Sequence, residues 1–338
     1  MIISCAPFRI SFAGGGSDIA VFYRRQRGAV LSATIDKYVY ITVHPYYNRS
    51  RTLVKYSETE CVARVEDIRH PILRQALLDL WPCGGVEVGS TADIPAATGL
   101  GSSSSFTVAL QVALHAFDGR FVPKEELARQ ACELEIVKLG EPIGKQDQYA
   151  AAFGGLNFIE FHPDESVVVT PLVLQPATLR CLEENLLLFY TGWQRRSREI
   201  LDAQNREVAA STARFDSLTA MVRLAYDMRD QLQAGDLHGF ARSMHRGWEL
   251  KRTLSGTITN PAIDSLYQRA IEAGALGGKL AGAGGGGFLL LYCEEERREA
   301  LRSALGECSE LPFSFDQGGA RVIYVGGGTE RTGFLREE

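Results

Sequence analysis

Two glycines and four serines stand in a row in Pro95-Ala-Ala-Thr-Gly-Leu-Gly-Ser-Ser-Ser-Ser105, just ahead of a segment that stays free of charge until Asp118. A helix starting there presents unpaired N–H groups and the positive end of its dipole. Gly99 and Gly101, on either side of Leu100, let the backbone come close to a ligand. The hydroxyls of Ser102, Ser103 and Ser104 can then reach phosphate oxygens or a metal ion. A serine-rich cap in a flexible loop is the competing reading, but the apolar helix behind the tract anchors it. The stretch has neither the G-x-x-x-x-G-K-[ST] pattern nor the dinucleotide fingerprint.

Acids on apolar faces come next, because a buried carboxylate is costly unless it is used. Ala128, Cys132, Glu135 and Leu139 follow one another at i, i+4, i+7 and i+11, which puts them on one narrow helical face. Glu135 therefore points inward, toward either an arginine or a Mg²⁺ ion, which takes one or two carboxylates together with phosphate oxygens. Asp147 heads an apolar segment ending at Gly154 and Gly155. It is either a helix cap or an acid delivered to a cleft and kept ionised by the helix dipole. Arg9 lies in a strand-like run before the glycine turn Gly14-Gly15-Gly16, and Asp18 follows that turn, where it reads first as a helix cap. A third cluster, residues 277–287, has seven glycines in eleven residues, more than a hairpin needs, and predicts close approach of backbone to a ligand or to another loop. A phosphate cradle, a carboxylate for magnesium, a second acid and an arginine are the parts of phosphoryl transfer. Six histidines without ligand spacing give no support to zinc or a histidine triad.

Elements must hold these groups. Strands are expected at Ile2–Phe12, Ala29–Val43, Val86–Ala92, Phe158–Phe161, Ser166–Val173 and Glu184–Tyr190, around 276–292, and at Ala320–Tyr324. Helices are expected at Ile19–Arg25, Pro71–Leu80, Ser103–Phe117, Pro123–Leu139, Ser197–Ala234, Asp236–Ser255, Pro261–Ala273 and Glu294–Leu305. The texture changes near residue 175, so 338 residues read as two domains, 1–176 and 177–338, of α+β class. A net charge of −5 disfavours nucleic acid. Seven cysteines without C-x-x-C spacing read as reduced thiols. The lack of a signal-like start and of a run near ~18 apolar residues predicts a cytoplasmic chain with no membrane partner.

Three motifs in this order resemble the galactokinase–homoserine kinase–mevalonate kinase–phosphomevalonate kinase (GHMP) superfamily: Pro7-Phe-Arg-Ile-Ser-Phe-Ala-Gly-Gly-Gly-Ser-Asp18, the serine tract, and Lys279-Leu-Ala-Gly-Ala-Gly-Gly-Gly-Gly-Phe288. Ala-Thr-Ile-Asp-Lys-Tyr38, Gln-Asp-Gln148 and Trp-Glu-Leu-Lys-Arg252 are similar in particular to the D-glycero-D-manno-heptose 7-phosphate kinases. The resemblance implies an N-terminal domain like the second domain of ribosomal protein S5 and a ferredoxin-like C-terminal domain with a helical insertion. It implies ATP and Mg²⁺, with Gly99 to Ser104 on the phosphates, Ser103 and Glu135 on the metal, and Asp147 and Arg9 in catalysis. Asp18, Gly15, Gly16, Ser17, Gly284 and Gly285 would hold the sugar. A sugar phosphate needs a further cationic pocket, for which Arg195, Arg196, Lys251 and Arg252 are candidates beside their reading as a solvated charge run. Lys145 places another cation near Asp147. The expected reaction moves the γ-phosphate of ATP to the anomeric hydroxyl of a heptose 7-phosphate, in a monomer or homodimer. Fucose or galactose is the alternative substrate, and a sensor that binds ATP and sugar without turnover is a remote one.

Overall fold

The computed structural model describes residues 1–193 and 197–326. The order of elements is β1 (Ile2–Ala13), α1 (Ala20–Tyr23), β2 (Gly28–Pro45), β3 (Thr52–Lys55), β4 (Thr59–Val62), α2 (Pro71–Leu80), β5 (Val86–Ala92) and α3 (Ser102–Phe117). Then follow α4 (Lys124–Cys132), α5 (Gln146–Phe153), β6 (Leu156–Phe161), β7 (Val167–Pro171), α6 (Pro176–Asn185), β8 (Leu186–Tyr190), α7 (Ser197–Ala210) and α8 (Thr212–Ala234). The chain closes with α9 (Leu237–Arg252), α10 (Pro261–Glu272), β9 (Gly277–Leu280), β10 (Phe288–Tyr292), α11 (Arg298–Ala304), β11 (Ser309–Glu310) and β12 (Arg321–Val325).

Eight strands form the first sheet, with the path β12-β1-β2-β5-β3-β4 and with β6 and β7 branching from β2. The 18-residue β2 pairs with β1 along one edge and serves two neighbours on the other, β6 along its first half and β5 along its second. A second sheet, β11-β8-β10-β9, is antiparallel throughout. α3 packs on β1 and β2, and α8 and α9 also reach the first sheet, so one apolar core runs through both halves. Phe12 of β1 meets Phe240 of α9 edge to face, ring centroids 5.3 Å apart.

Several expectations need revision. The long helical pattern Ser197–Ala234 is two helices, because Ser211 leaves helical backbone and its hydroxyl caps the N–H of Arg214 at the start of α8. α6 lies where no helix is expected, although Pro176 at its first turn is a start signal. The antiparallel hairpin β3–β4 is likewise outside the expected strands. β12 returns to the first sheet, pairing antiparallel with β1, so the second half of the sequence contributes a strand to the first half's sheet. No helix among the described residues is long and apolar enough to cross a membrane.

Candidate active site

β1 carries Arg9 into a cavity by breaking its own ladder. The β1–β2 register shifts between Pro7 and Arg9, an irregularity of the kind that re-aims a side chain. The freed Arg9 N–H donates to Leu100 O at 3.0 Å, and Ser105 Oγ donates to Pro7 O at 2.8 Å. Both bonds tie the start of α3 to β1. Gly101 stands at that start with φ +79°, a conformation glycine adopts without strain. The first-turn N–H groups of Ser102 to Ser104 have no acceptor within the helix, and all three serines line the cavity, which measures about 650 Å³.

Glu135 reaches the same cavity by an unexpected route. α4 passes at Cys132 into a π-helical turn, Glu133–Lys138, a widening often found at functional sites. The side chain of Glu135 is fully buried. Ser103 Oγ donates to its Oε1 at 2.7 Å and Gln148 Nε2 to its Oε2 at 2.7 Å. No ion pair reaches it among the described residues, so an arginine partner is ruled out there. Burial pushes its pKa up to about 7, against the pull of the bonds from Ser103 and Gln148.

Asp147 sits in the first turn of α5 and engages Arg9 through two parallel bonds, Nε to Oδ1 at 2.8 Å and Nη2 to Oδ2 at 2.9 Å. Arg9 Nη1 also donates to Gly99 O at 2.7 Å. This fork ties together the phosphate-loop candidate, the first motif and the second acid. Asp18 is 2% exposed, and its carboxylate accepts the N–H of Gly16 at 2.9 Å and of Gln146 at 3.2 Å. Burial and the nearby Asp147 raise its pKa. Gly144 is required beside it, since a Cβ there would lie 1.8 Å from Asp18 Oδ2. Lys251 Nζ donates to Gln204 Oε1 at 2.7 Å and to Gly15 O at 3.3 Å, and burial lowers its pKa to about 8.

Arg9, Gly15, Gly16, Asp18, Gly99, Gly101, Ser102, Ser103, Ser104, Glu135, Asp147 and Lys251 therefore line one cavity. Other expected positions do not. Leu100 is buried in the core, and Ser17 donates from Oγ to Ala29 O. Gly284 and Gly285 face Ile258, with Gly285 N–H donating to its carbonyl at 2.8 Å. At Gly284 the crowding is loop against backbone, since a Cβ there would stand 2.6 Å from Ile258 O. Lys145 pairs with Glu165 at 2.7 Å. Arg252 pairs with Glu249 and Asp264. Arg195 and Arg196 lie outside the described residues.

Sequence reasoning missed the outer end of the cavity, lined by Val39, Tyr56, His70, Ile72, Ser90 and Phe106. Tyr56 comes from the β3–β4 turn, and the His70 ring lies 4.7 Å from that of Tyr56 and 5.3 Å from that of Phe106. Glu60 organises this wall by accepting from Tyr56 Oη, Arg69 N and His70 N. Burial lowers the His70 pKa, favouring a neutral imidazole. Its only signal in the sequence was a Tyr-Ser-Glu turn between two short β-prone runs.

The GHMP kinases N terminal domain pattern matches residues 66–155, and the GHMP kinases C terminal pattern matches residues 228–310, together just over half of the chain. A D-glycero-alpha-D-manno-heptose 7-phosphate kinase of Campylobacter jejuni is 28% identical over 91% of this chain and 95% of its own. A bifunctional fucokinase/GDP-fucose pyrophosphorylase of Arabidopsis thaliana is 25% identical over 90% of this chain, which spans only 31% of that longer protein. The crystal structure of a D-glycero-D-manno-heptose 1-phosphate kinase from Bacteroides thetaiotaomicron superposes with a TM-score of 0.79 at 27% identity, covering 97% of this chain and all of the other. Both halves are matched in their proper order on one continuous fold, and the chain belongs to the GHMP kinases.

Proposed function

We propose that this kinase transfers the γ-phosphate of ATP to the anomeric hydroxyl of D-glycero-D-manno-heptose 7-phosphate, giving the 1,7-bisphosphate used for nucleotide-activated heptose. The observation that carries the reading is the convergence of Ser103–Glu135, Arg9–Asp147 and Asp18 on one cavity with a neutral, aromatic outer end. The nucleobase belongs at that outer end, between Tyr56, His70 and Phe106, and the phosphates at the start of α3. Asp18, with Gly15 and Gly16, holds sugar hydroxyls. Asp147 orients the attacking hydroxyl and takes its proton, and Arg9 balances charge as the phosphoryl group moves. Lys251 is the described candidate for the second phosphate of the sugar. The division at 176/177 is read as two domains, with β12 returned to the first. The reading also places the enzyme in the cytoplasm, as a monomer or homodimer, with neither nucleic acid nor membrane as partner.

The residues fit Mg²⁺. Glu135 is a buried carboxylate with no cation beside it and a hydroxyl, Ser103 Oγ, at 2.7 Å. A Mg²⁺ ion is held by one or two carboxylates plus phosphate oxygens. When bound, the ion would neutralise charge on the phosphates of ATP.

Glu135→Gln separates stability from activity. In the fold Glu135 holds its proton up to about pH 7, whereas unfolded it loses it near the ordinary value of 4.5. Folding therefore takes up a proton between these values, and stability from this group falls as pH rises from 4.5 to 7 and stays low above 7. The neutral amide removes that deficit, so thermal unfolding at pH 8 without metal should occur at a higher temperature in the variant. The Mg²⁺ concentration for half-maximal turnover should rise at least about tenfold. An unchanged Mg²⁺ requirement would remove Glu135 from the metal site.

The function itself is tested by a substrate panel with phosphorus NMR of the product. Heptose 7-phosphate should give the highest kcat/KM and a new anomeric phosphate. A preference for heptose 1-phosphate, fucose or galactose would overturn the assignment. Fucose is the second reading, favoured by the fucokinase similarity. Absence of any ATP consumption would leave the non-catalytic sensor.

A further inference from the structure

Lys279 is a cation on a strand of the second sheet whose side chain crosses to the first. From β9 its Nζ donates to Ser11 O of β1 at 2.7 Å, and it lines the cavity while only 9% exposed. An ammonium has three donors, and Ser11 O is the single acceptor found for it among the described residues. Ser11 keeps a buried hydroxyl oxygen without a partner in the same place. The charged groups acting on Lys279 are Lys251 of α9, Arg9 of β1, Asp147 of α5 and Asp18 after the glycine turn. On α9 and α10, which also pack on β9, His245 and Tyr267 bond to each other and Tyr267 Oη to Gly278 O.

Three cations in this cluster face two carboxylates. Arg9 is committed to Asp147 and Gly99, and Lys251 to Gln204 and Gly15. Of the three, Lys279 has the fewest acceptors, a single backbone carbonyl and no carboxylate among the described residues, and a buried charge without a counter-ion is costly. A phosphoryl group supplies both the missing negative charge and the missing acceptors.

We propose that Lys279 is a further catalytic residue, whose ammonium binds the oxygens of the phosphoryl group in transfer. The proposal rests on the kinase reading of the cavity. In the step, the bond from the γ-phosphorus to the bridging oxygen breaks and ADP leaves. The sugar oxygen bonds to phosphorus and its proton passes to Asp147. Lys279 keeps its own proton throughout and contributes hydrogen bonds and charge. Burial, with Lys251 and Arg9 adding to it, lowers the Lys279 pKa to about 7 before an anion arrives. An arriving γ-phosphate favours the charged form, so binding draws in a proton near neutral pH.

The test compares wild type with Lys279→Met, using ADP and a non-hydrolysable ATP analogue. Titration calorimetry at pH 7 in two buffers of different ionisation enthalpy reads the proton uptake. For the variant we expect the analogue to bind about tenfold more weakly while ADP stays within about twofold, because only the γ-phosphate meets Lys279. Turnover should fall about 10²-fold. The wild type should take up more proton with the analogue than with ADP, a difference the variant lacks. Equal losses for both nucleotides, or unchanged turnover, would make Lys279 a clasp between the sheets and overturn the proposal. Should the variant not fold, wild type alone decides: equal proton uptake with the two nucleotides overturns it. If wild type phosphorylates no sugar in the panel, the kinase reading fails separately, since the binding comparison does not depend on turnover.

Discussion

Asp147→Asn lowers turnover by about 10³–10⁴-fold while nucleotide still binds, the largest activity effect expected of any substitution here. The proton of the attacking hydroxyl needs an acceptor, and of Asp18, Glu135 and Asp147 the last is neither held by two backbone N–H groups, as Asp18 is, nor buried against a serine and a glutamine, as Glu135 is; Glu141, also at the cavity, pairs with Arg198. An amide of the same shape keeps one acceptor for Arg9 but turns its NH₂ against the other arm of the guanidinium, which now bonds Oδ1 and Oδ2 together. The variant should therefore also lose about 1.5–3 kcal/mol of stability, the range for a hydrogen bond to a charged group. Nucleotide affinity should hold within about threefold or improve, because Arg9 loses its counter-charge beside the loop that receives phosphate. Steady-state kinetics and ADP titration read the two effects separately. Turnover within about tenfold of wild type would remove Asp147 as the base, and leave positioning and charge neutralisation to carry the rate.

Much of this site was legible because its residue types are conspicuous. Four serines behind two glycines, entering a helix of almost unbroken apolar sequence, can be placed without coordinates, and α3 begins one residue before the expected start. The inward face of Glu135 followed from spacing alone, and Ala128, Cys132 and Glu135 are indeed buried. That argument assumed a regular helix, so it did not foresee the π-helical turn that carries Glu135. What stayed hidden depended on pairing between distant segments. Nothing local to Arg321–Val325 says that it pairs with β1, more than 300 residues earlier. Tyr56 and His70 are ordinary residues until β3, β4 and α2 bring them together with Phe106. Lys279 reads as one lysine in a glycine-rich strand, and only the seam between the sheets shows its amine to be buried.

The same seam explains the glycines of the third motif, and Gly282→Ala tests it. Gly282 has φ +71°, and a Cβ there would stand 2.6 Å from Gly99 O and 2.8 Å from Gly99 Cα. The contact is reciprocal: a Cβ on Gly99 would stand 2.6 Å from Ala281 O, and one on Gly287 would stand 2.3 Å from Thr98 O. The third motif thus lies backbone to backbone on the second, and the expected close approach is to another loop. Neither side can yield freely, because Gly99 O holds Arg9 Nη1 at 2.7 Å and Arg9 holds Asp147. Left-handed backbone for a residue with a Cβ costs about 1–2 kcal/mol by itself, and the overlap brings the total to about 2–4 kcal/mol. The strain passes through Gly99 to the Arg9–Asp147 fork, so turnover should drop about 10²-fold even in the fraction that stays folded. Gly256→Ala is the control, since a Cβ there meets nothing within 4 Å, and it should match wild type in both measurements. Thermal unfolding and steady-state kinetics of the two variants decide the matter. A Gly282→Ala protein with wild-type stability and rate would mean that the phosphate loop is positioned by α3 and β1 alone, and that the second half of the chain does no more than cover it.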